Sequence, residues 1–190
     1  MLTTLLALTL SATPLPPAFG FAAVQCVPVR EVVCVIDVDY TTAACLADVP
    51  AAVDTINRAV GHEVMHFAGL ISPAGIPHAF ETGVLMVAGW ASDPAPHALA
   101  LTGYHVAETG WPCVERPTIV LSPRVARKTD PGPFNPTWVI AHELVHALGG
   151  GHADAESRFV SRMAPAYDQT MKVPLAPVDV AALRAAYPTR

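Results

Sequence analysis

Asn135-Pro136-Thr137-Trp138-Val139-Ile140-Ala141-His142-Glu143-Leu144-Val145-His146-Ala147-Leu148-Gly149-Gly150-Gly151-His152 carries the start, the periodicity and the stop of a two-sided helix. Asn135 suits an N-cap, where a side-chain acceptor meets a first-turn N–H. Pro136 suits the first helical position, where a missing N–H costs nothing. Ile140, Leu144, Ala147 and Leu148 stand at i, i+4, i+7 and i+8 and so form one apolar stripe that faces a core. The glycine triplet predicts the stop, because glycine adopts the left-handed backbone that a helix end needs. On the other side, His142 and His146 lie one turn apart on a single face, with Glu143 one step round.

Two imidazoles at this spacing can bind one metal ion, with the glutamate placed to act as a base. Catalytic zinc usually takes three protein ligands and keeps a position for water. The third ligand is His152: a continued helix would carry it away, whereas a sharp turn at Gly149 brings it back. The string His142-Glu143-x-x-His146-x-x-Gly149-x-x-His152 has five fixed residues at fixed offsets. Satisfied helix histidines alone would not need that coincidence.

This string resembles the zinc signature of the metzincin proteases, which is followed downstream by a methionine turn. Ser161-Arg162-Met163-Ala164-Pro165-Ala166-Tyr167 looks like such a turn, and its Met-x-Pro-x-Tyr pattern is most similar to the matrixin (matrix metalloprotease-like) branch. Leu175-x-x-x-Asp179-Val180-x-x-Leu183-x-x-x-Tyr187 resembles the last helix of that branch. The resemblance is close over residues 135–190 and loose before them. It implies an α+β, zincin-like fold: a twisted, mostly parallel, mixed five-stranded sheet over the active-site helix, then an irregular lower part ending in a C-terminal helix. It also implies a zinc-dependent endopeptidase. One catalytic Zn2+ would be held by His142, His146 and His152, with Glu143 as the catalytic base. Met163 would form a floor beneath the ligands, and Tyr167 would help wall the substrate pocket. An edge strand above the cleft would pair with substrate, for which Leu99–Tyr104 is the candidate. There are departures. Ala153 follows His152, the stretch from His152 to Met163 is long, and Pro165 stands where an astacin-like fifth ligand, a tyrosine, would be. No His-rich segment suggests a structural zinc, and calcium, though compatible with the resemblance, has no recognisable loop.

The remaining elements fit this order. Residues 32–40 are β-branched and read as a strand. Asp48 is a candidate cap for a helix over Val49–Val60, in which Ala51, Ala52, Ile56, Ala59 and Val60 fall at helical spacing. Further strands are expected over Val64–Ser72, Thr82–Trp90, Leu99–Val106 and Pro117–Leu121. A last helix is expected over Val178–Tyr187, with Val180, Leu183 and Tyr187 inward.

Residues 1–22 read as a signal peptide, with the apolar run Leu2–Leu10 followed by small residues at Ala18, Gly20 and Ala22, although no basic residue precedes Arg30. Residues 23–190 then form a single catalytic domain. The apolar run is shorter than the roughly 20 residues a membrane span needs. The four cysteines, Cys26, Cys34, Cys45 and Cys113, suit two disulfides in an oxidising compartment, so a secreted, extracellular or periplasmic location is expected. Sequence leaves all three connectivities open. Cys26-Val27-Pro28 faintly resembles the zinc-blocking cysteine of matrixin propeptides, but disulfide pairing is the better reading. Only 11 residues are Lys or Arg, the formal net charge is −5, and no basic run exceeds two residues, which removes support for nucleic-acid binding. The expected partner is a protein or peptide substrate, met by a monomer.

A second HExxH occurs at His62-Glu63-Val64-Met65-His66 and runs on to Gly69, but Ser72 stands at the third-ligand position. The five-residue pattern alone is moderately specific, and the expectation here is surface or strand histidines. His97 and His105 receive no role. Two rivals remain: a secreted binding module that keeps zinc without turnover, and hydrolysis of a non-peptide substrate.

Overall fold

Residues with alternating burial set the sheet. In β1 (Glu31–Val35), Val32 and Cys34 point to one side and Val33 and Val35 to the other. The same alternation holds in β3 (Val84–Gly89), where Leu85 and Val87 oppose Val84 and Met86. The structure is a computed structural model that describes residues 28–35, 42–72, 83–89, 99–106, 114–127, 134–153, 161, 163 and 174–189 of 190. With β2 (His66–Ile71), β4 (Ala100–Val106) and β5 (Val114–Leu121), these strands form one five-stranded sheet in the order β2-β1-β3-β5-β4. The pairs β1–β2, β1–β3 and β3–β5 are parallel, and β4 joins β5 antiparallel at the edge. The mixed, mostly parallel sheet expected from sequence is present.

Four helices accompany it among the described residues: α1 (Thr42–Val60), α2 (Pro123–Arg127), α3 (Pro136–Ala147) and α4 (Pro177–Ala186), so the architecture is α+β. None of them is long and apolar enough to cross a membrane. α1 and α3 pack on each other, α3 also packs on β4 and β5, and α4 packs on α1. One apolar core joins Val32, Cys34, Leu85, Val87, Ile119 and Leu121 of the sheet to Val49, Ile56, Ile140, Leu144, Leu148 and Leu183 of the helical layer. The stripe predicted for α3 is therefore buried as expected. Val139, Ala141 and Val145 are buried as well, so the metal-ligand side is a narrow band on an otherwise enclosed helix.

Three local readings are corrected. α1 begins at Thr42, not at Val49, and continues through Pro50. Ala44, Cys45 and Val49 are fully buried, and their packing holds the first turns in helical register. Pro50 withdraws the N–H that would have met the carbonyl of Leu46, and Leu46 is solvent-exposed, where water can serve that carbonyl. Asp48 thus lies inside α1 and caps nothing there. Its Oδ1 instead accepts a hydrogen bond from the Thr137 hydroxyl at 2.9 Å and ties α1 to the first turn of α3. Asn135 does occupy the N-cap position with extended backbone, and its carbonyl accepts from the N–H groups of Trp138 and Val139. Its side chain, however, makes no capping bond. The short α2, directly after β5, had no periodic signal in sequence.

A disulfide joins Cys34 at the end of β1 to Cys45 in the first turns of α1, with 5.8 Å between the Cα atoms. Of the three possible connectivities this selects the one containing Cys34–Cys45. Cys26 and Cys113 lie outside the described residues, as do residues 1–22, His97 and Tyr167.

Candidate metal centre

α3 presents His142 and His146 one turn apart, and the chain must then reverse to add a third imidazole. The reversal is a Schellman stop: the Gly149 N–H donates to the His146 carbonyl at 2.7 Å and the Gly150 N–H to the Val145 carbonyl at 2.9 Å. Gly149 carries φ of +95°, which an L side chain rarely adopts. Gly149→Ala is therefore expected to cost about 1–2 kcal/mol in a urea titration run in chelator. It should also weaken metal binding in a competition titration, because the turn aims His152.

After this turn the three imidazoles converge. His146 Nε2 lies 3.0 Å from His142 Nε2 and 3.1 Å from His152 Nε2. His146 is turned edge-on to both neighbours, with interplanar angles of 82° and 85°. Among the described residues these three are the cluster whose donor atoms could hold a metal ion. Tetrahedral zinc with nitrogen ligands at about 2.0–2.1 Å places those nitrogens roughly 3.3 Å apart, so the donor set fits. The tautomer of His146 fits too. Its Nδ1–H donates to the Gly150 carbonyl at 2.7 Å, leaving the Nε2 lone pair toward the other two rings. The glycine turn therefore both stops the helix and orients the His146 ring. Burial, then the neighbouring His146, lowers the pKa of His152 from the ordinary imidazole value.

Glu143 is buried, and a partner for its carboxylate comes from the sheet. The Thr102 hydroxyl on edge strand β4 donates to Glu143 Oε2 at 2.5 Å and lies 3.2 Å from the Glu143 carbonyl oxygen. Burial raises the Glu143 pKa above the ordinary carboxylate value, while the Thr102 hydrogen bond and the nearby His146 oppose that rise. A partly desolvated carboxylate of this kind is better suited to accept a proton than a fully hydrated one. Thr102 was not singled out in the sequence, although the strand that carries it was.

Met163 is fully buried in the main core. Its carbonyl accepts from the Ala153 N–H at 2.8 Å, next to His152, and its own N–H donates to Ser161 Oγ at 3.0 Å. Ser161 in turn donates to Asp179 Oδ1, and Asp179 Oδ2 accepts from the Ala176 N–H at the start of α4. A buried carboxylate with these partners ties Ser161 and Met163 to the last helix, which gives the sequence pattern around Asp179 a physical role.

α4 also closes the ends of both long helices. Arg184 Nε donates to the Ala59 carbonyl at 2.8 Å, and the Tyr187 hydroxyl donates to the Leu148 carbonyl at 2.9 Å. Both carbonyls are orphans of a helix C-terminus. Burial pushes the Tyr187 pKa up to about 12 from 10.0. A raised pKa in the folded state gives stability that is present below pH 10 and lost as pH rises through 12. Tyr187→Phe is expected to cost about 1 kcal/mol near pH 8. The wild-type advantage should shrink across pH 10–12, read as the difference between the two urea midpoints.

The second HExxH does not form a helical histidine pair. His62 and Glu63 fall in the turn after α1 and His66 opens β2, so the two histidines share no helical face. Gly69, with φ of +116°, sits at a register slip: Val32 pairs with Phe67 and Val33 with Gly69. That glycine serves a β-bulge rather than a helix stop. No family profile matches this chain, and no curated protein matches it in sequence.

Proposed function

We propose that this protein is a zinc-dependent endopeptidase of the metzincin type, with the matrixin branch as its nearest likeness. The observation that carries the reading is the convergence of the Nε2 atoms of His142, His146 and His152 on one turn-and-helix unit. Beside it stands the buried carboxylate of Glu143. When bound there, zinc supplies a Lewis acid that polarises the scissile carbonyl and makes water acidic enough to attack at neutral pH. Glu143 accepts one proton from the attacking water as the new C–O bond forms. It then gives that proton to the amide nitrogen as the C–N bond breaks, so a carboxylic acid and an amine leave. Among the described residues no strand pairs with the outer side of edge strand β4, where an extended peptide could add as a further strand. Met163 supports the ligand-bearing segment through Ala153, and Tyr167 is proposed for the substrate pocket on resemblance alone. The buried Cys34–Cys45 disulfide supports an oxidising, exported setting.

The test is mass-spectrometric cleavage of a mixed peptide library by the zinc-loaded chain, the chelated chain and the chelated chain after zinc is restored. Cuts that vanish with chelation and return with zinc support the reading. A chain that binds one zinc and cuts nothing would instead be a binding module.

A further inference from the structure

The contact between edge strand and base lies outside everything the zinc motif requires. Strand alternation aims Thr102 inward: Ala100 on the same side is buried, while Leu101 between them is exposed. Thr102 pairs opposite Ile119 and Gly103 opposite Thr118, and the β4–β5 register then slips before His105 pairs with Glu115. A slip of this kind increases local twist and re-aims side chains. It falls between Gly103 and His105, just past the residue whose hydroxyl reaches across to α3. A threonine hydroxyl has one proton to give, and both atoms within its reach, Glu143 Oε2 and the Glu143 carbonyl oxygen, can only accept from it when the carboxylate is ionised.

We infer that Thr102 is the positioning residue of the Glu143 base: by holding Oε2 it leaves Oε1 as the oxygen that takes the proton, and it ties the base to the edge strand on which substrate would lie. The part that concerns turnover rests on the endopeptidase reading; the part that concerns the placement of Glu143 does not. A carboxylate on a helix has several rotamers, and the one that reacts must be held by a partner. Here the partner comes from the substrate-binding strand itself. A peptide paired with β4 would thus lie on the same strand that holds Glu143 through this hydrogen bond.

Thr102→Val keeps the shape and removes the donor; Thr102→Ser keeps the donor. With zinc loaded, Thr102→Val is expected to lower kcat about 10- to 100-fold. KM and zinc affinity by chelator competition should stay at wild-type values, the thermal midpoint should fall only by the few degrees that one lost hydrogen bond costs, and Thr102→Ser should restore most of the rate. A crystal structure of each variant supplies the readout that needs no turnover: Glu143 should leave its wild-type rotamer in Thr102→Val and regain it in Thr102→Ser. The inference is overturned by an unchanged Glu143 rotamer in Thr102→Val, by an unchanged kcat, by a loss of rate that tracks lost zinc, or by Thr102→Ser being as impaired as Thr102→Val. If the wild type cuts no peptide at all, the endopeptidase reading fails, and the crystallographic comparison still decides whether Thr102 places Glu143.

Discussion

Glu143→Ala is expected to retain a full equivalent of zinc and to lose about 10²- to 10⁴-fold in kcat/KM, the range that a positioned general base contributes. In free energy this is about 3–5 kcal/mol of transition-state stabilisation. The expectation follows from the division of labour on α3. His142 and His146 occupy the band that meets His152, whereas Glu143 sits one step round the helix and bonds to Thr102 instead of to a histidine. Removing its carboxylate leaves the three donor atoms and the Gly150 bond to His146 in place, so metal binding has no reason to fail. It also releases the Thr102 hydroxyl, which still has the residue-143 carbonyl oxygen within 3.2 Å and is not stranded. Fluorogenic-peptide kinetics on samples matched for zinc content make the measurement. Wild-type turnover in the variant would remove Glu143 from the reaction.

The second large effect is on the metal and, through it, on stability. His146 Nε2 stands 3.0 Å from His142 Nε2 and 3.1 Å from His152 Nε2, a crowding of donor atoms that a bound cation would turn into coordination. At zinc concentrations a thousandfold above the dissociation constant, binding to the native state stabilises it by about 4 kcal/mol. For a chain of this size that raises the melting temperature by roughly 8–16 °C. His146→Ala is expected to abolish both the zinc equivalent and this shift, and to lose about 1 kcal/mol even in chelator, because the bond to the Gly150 carbonyl goes too. His142→Ala should likewise lose the zinc-dependent shift. Scanning calorimetry with zinc and with chelator separates the two contributions. A His146→Ala variant that kept the full zinc-dependent shift would contradict the ligand set.

What could be read without coordinates follows the range of the interactions. The ligand histidines, the glycine stop and the apolar stripe of α3 all lie between Ile140 and His152, where helical spacing links sequence to geometry directly. The strands were legible for the same reason: β-branched runs between turn residues placed β2, β3 and β4 to within a few residues. Contacts that join distant segments left no such trace. Thr102 and Glu143 are 41 residues apart, and Thr137 and Asp48 are 89 apart. Neither partner announces the other. Asp48 is a case where local and tertiary logic compete: its residue type and the following Pro50 suggest a helix start, but buried Ala44 and Cys45 extend the helix past both. The duplicated HExxH shows the limit from the other side. His62 and His66 have the local pattern, and the fold spends them on a turn and a strand.

X-ray absorption at the zinc edge of the stoichiometrically loaded chain tests the central claim most directly, namely that three histidines hold zinc with one position left open. The account predicts three imidazole nitrogens at about 2.0–2.1 Å and a fourth light-atom neighbour that is not a protein side chain. That neighbour should be replaced when a zinc-binding small molecule such as a hydroxamate is added. A closed shell of four protein ligands, a sulfur neighbour, or a fourth position that no added ligand can reach would contradict it and make the site structural.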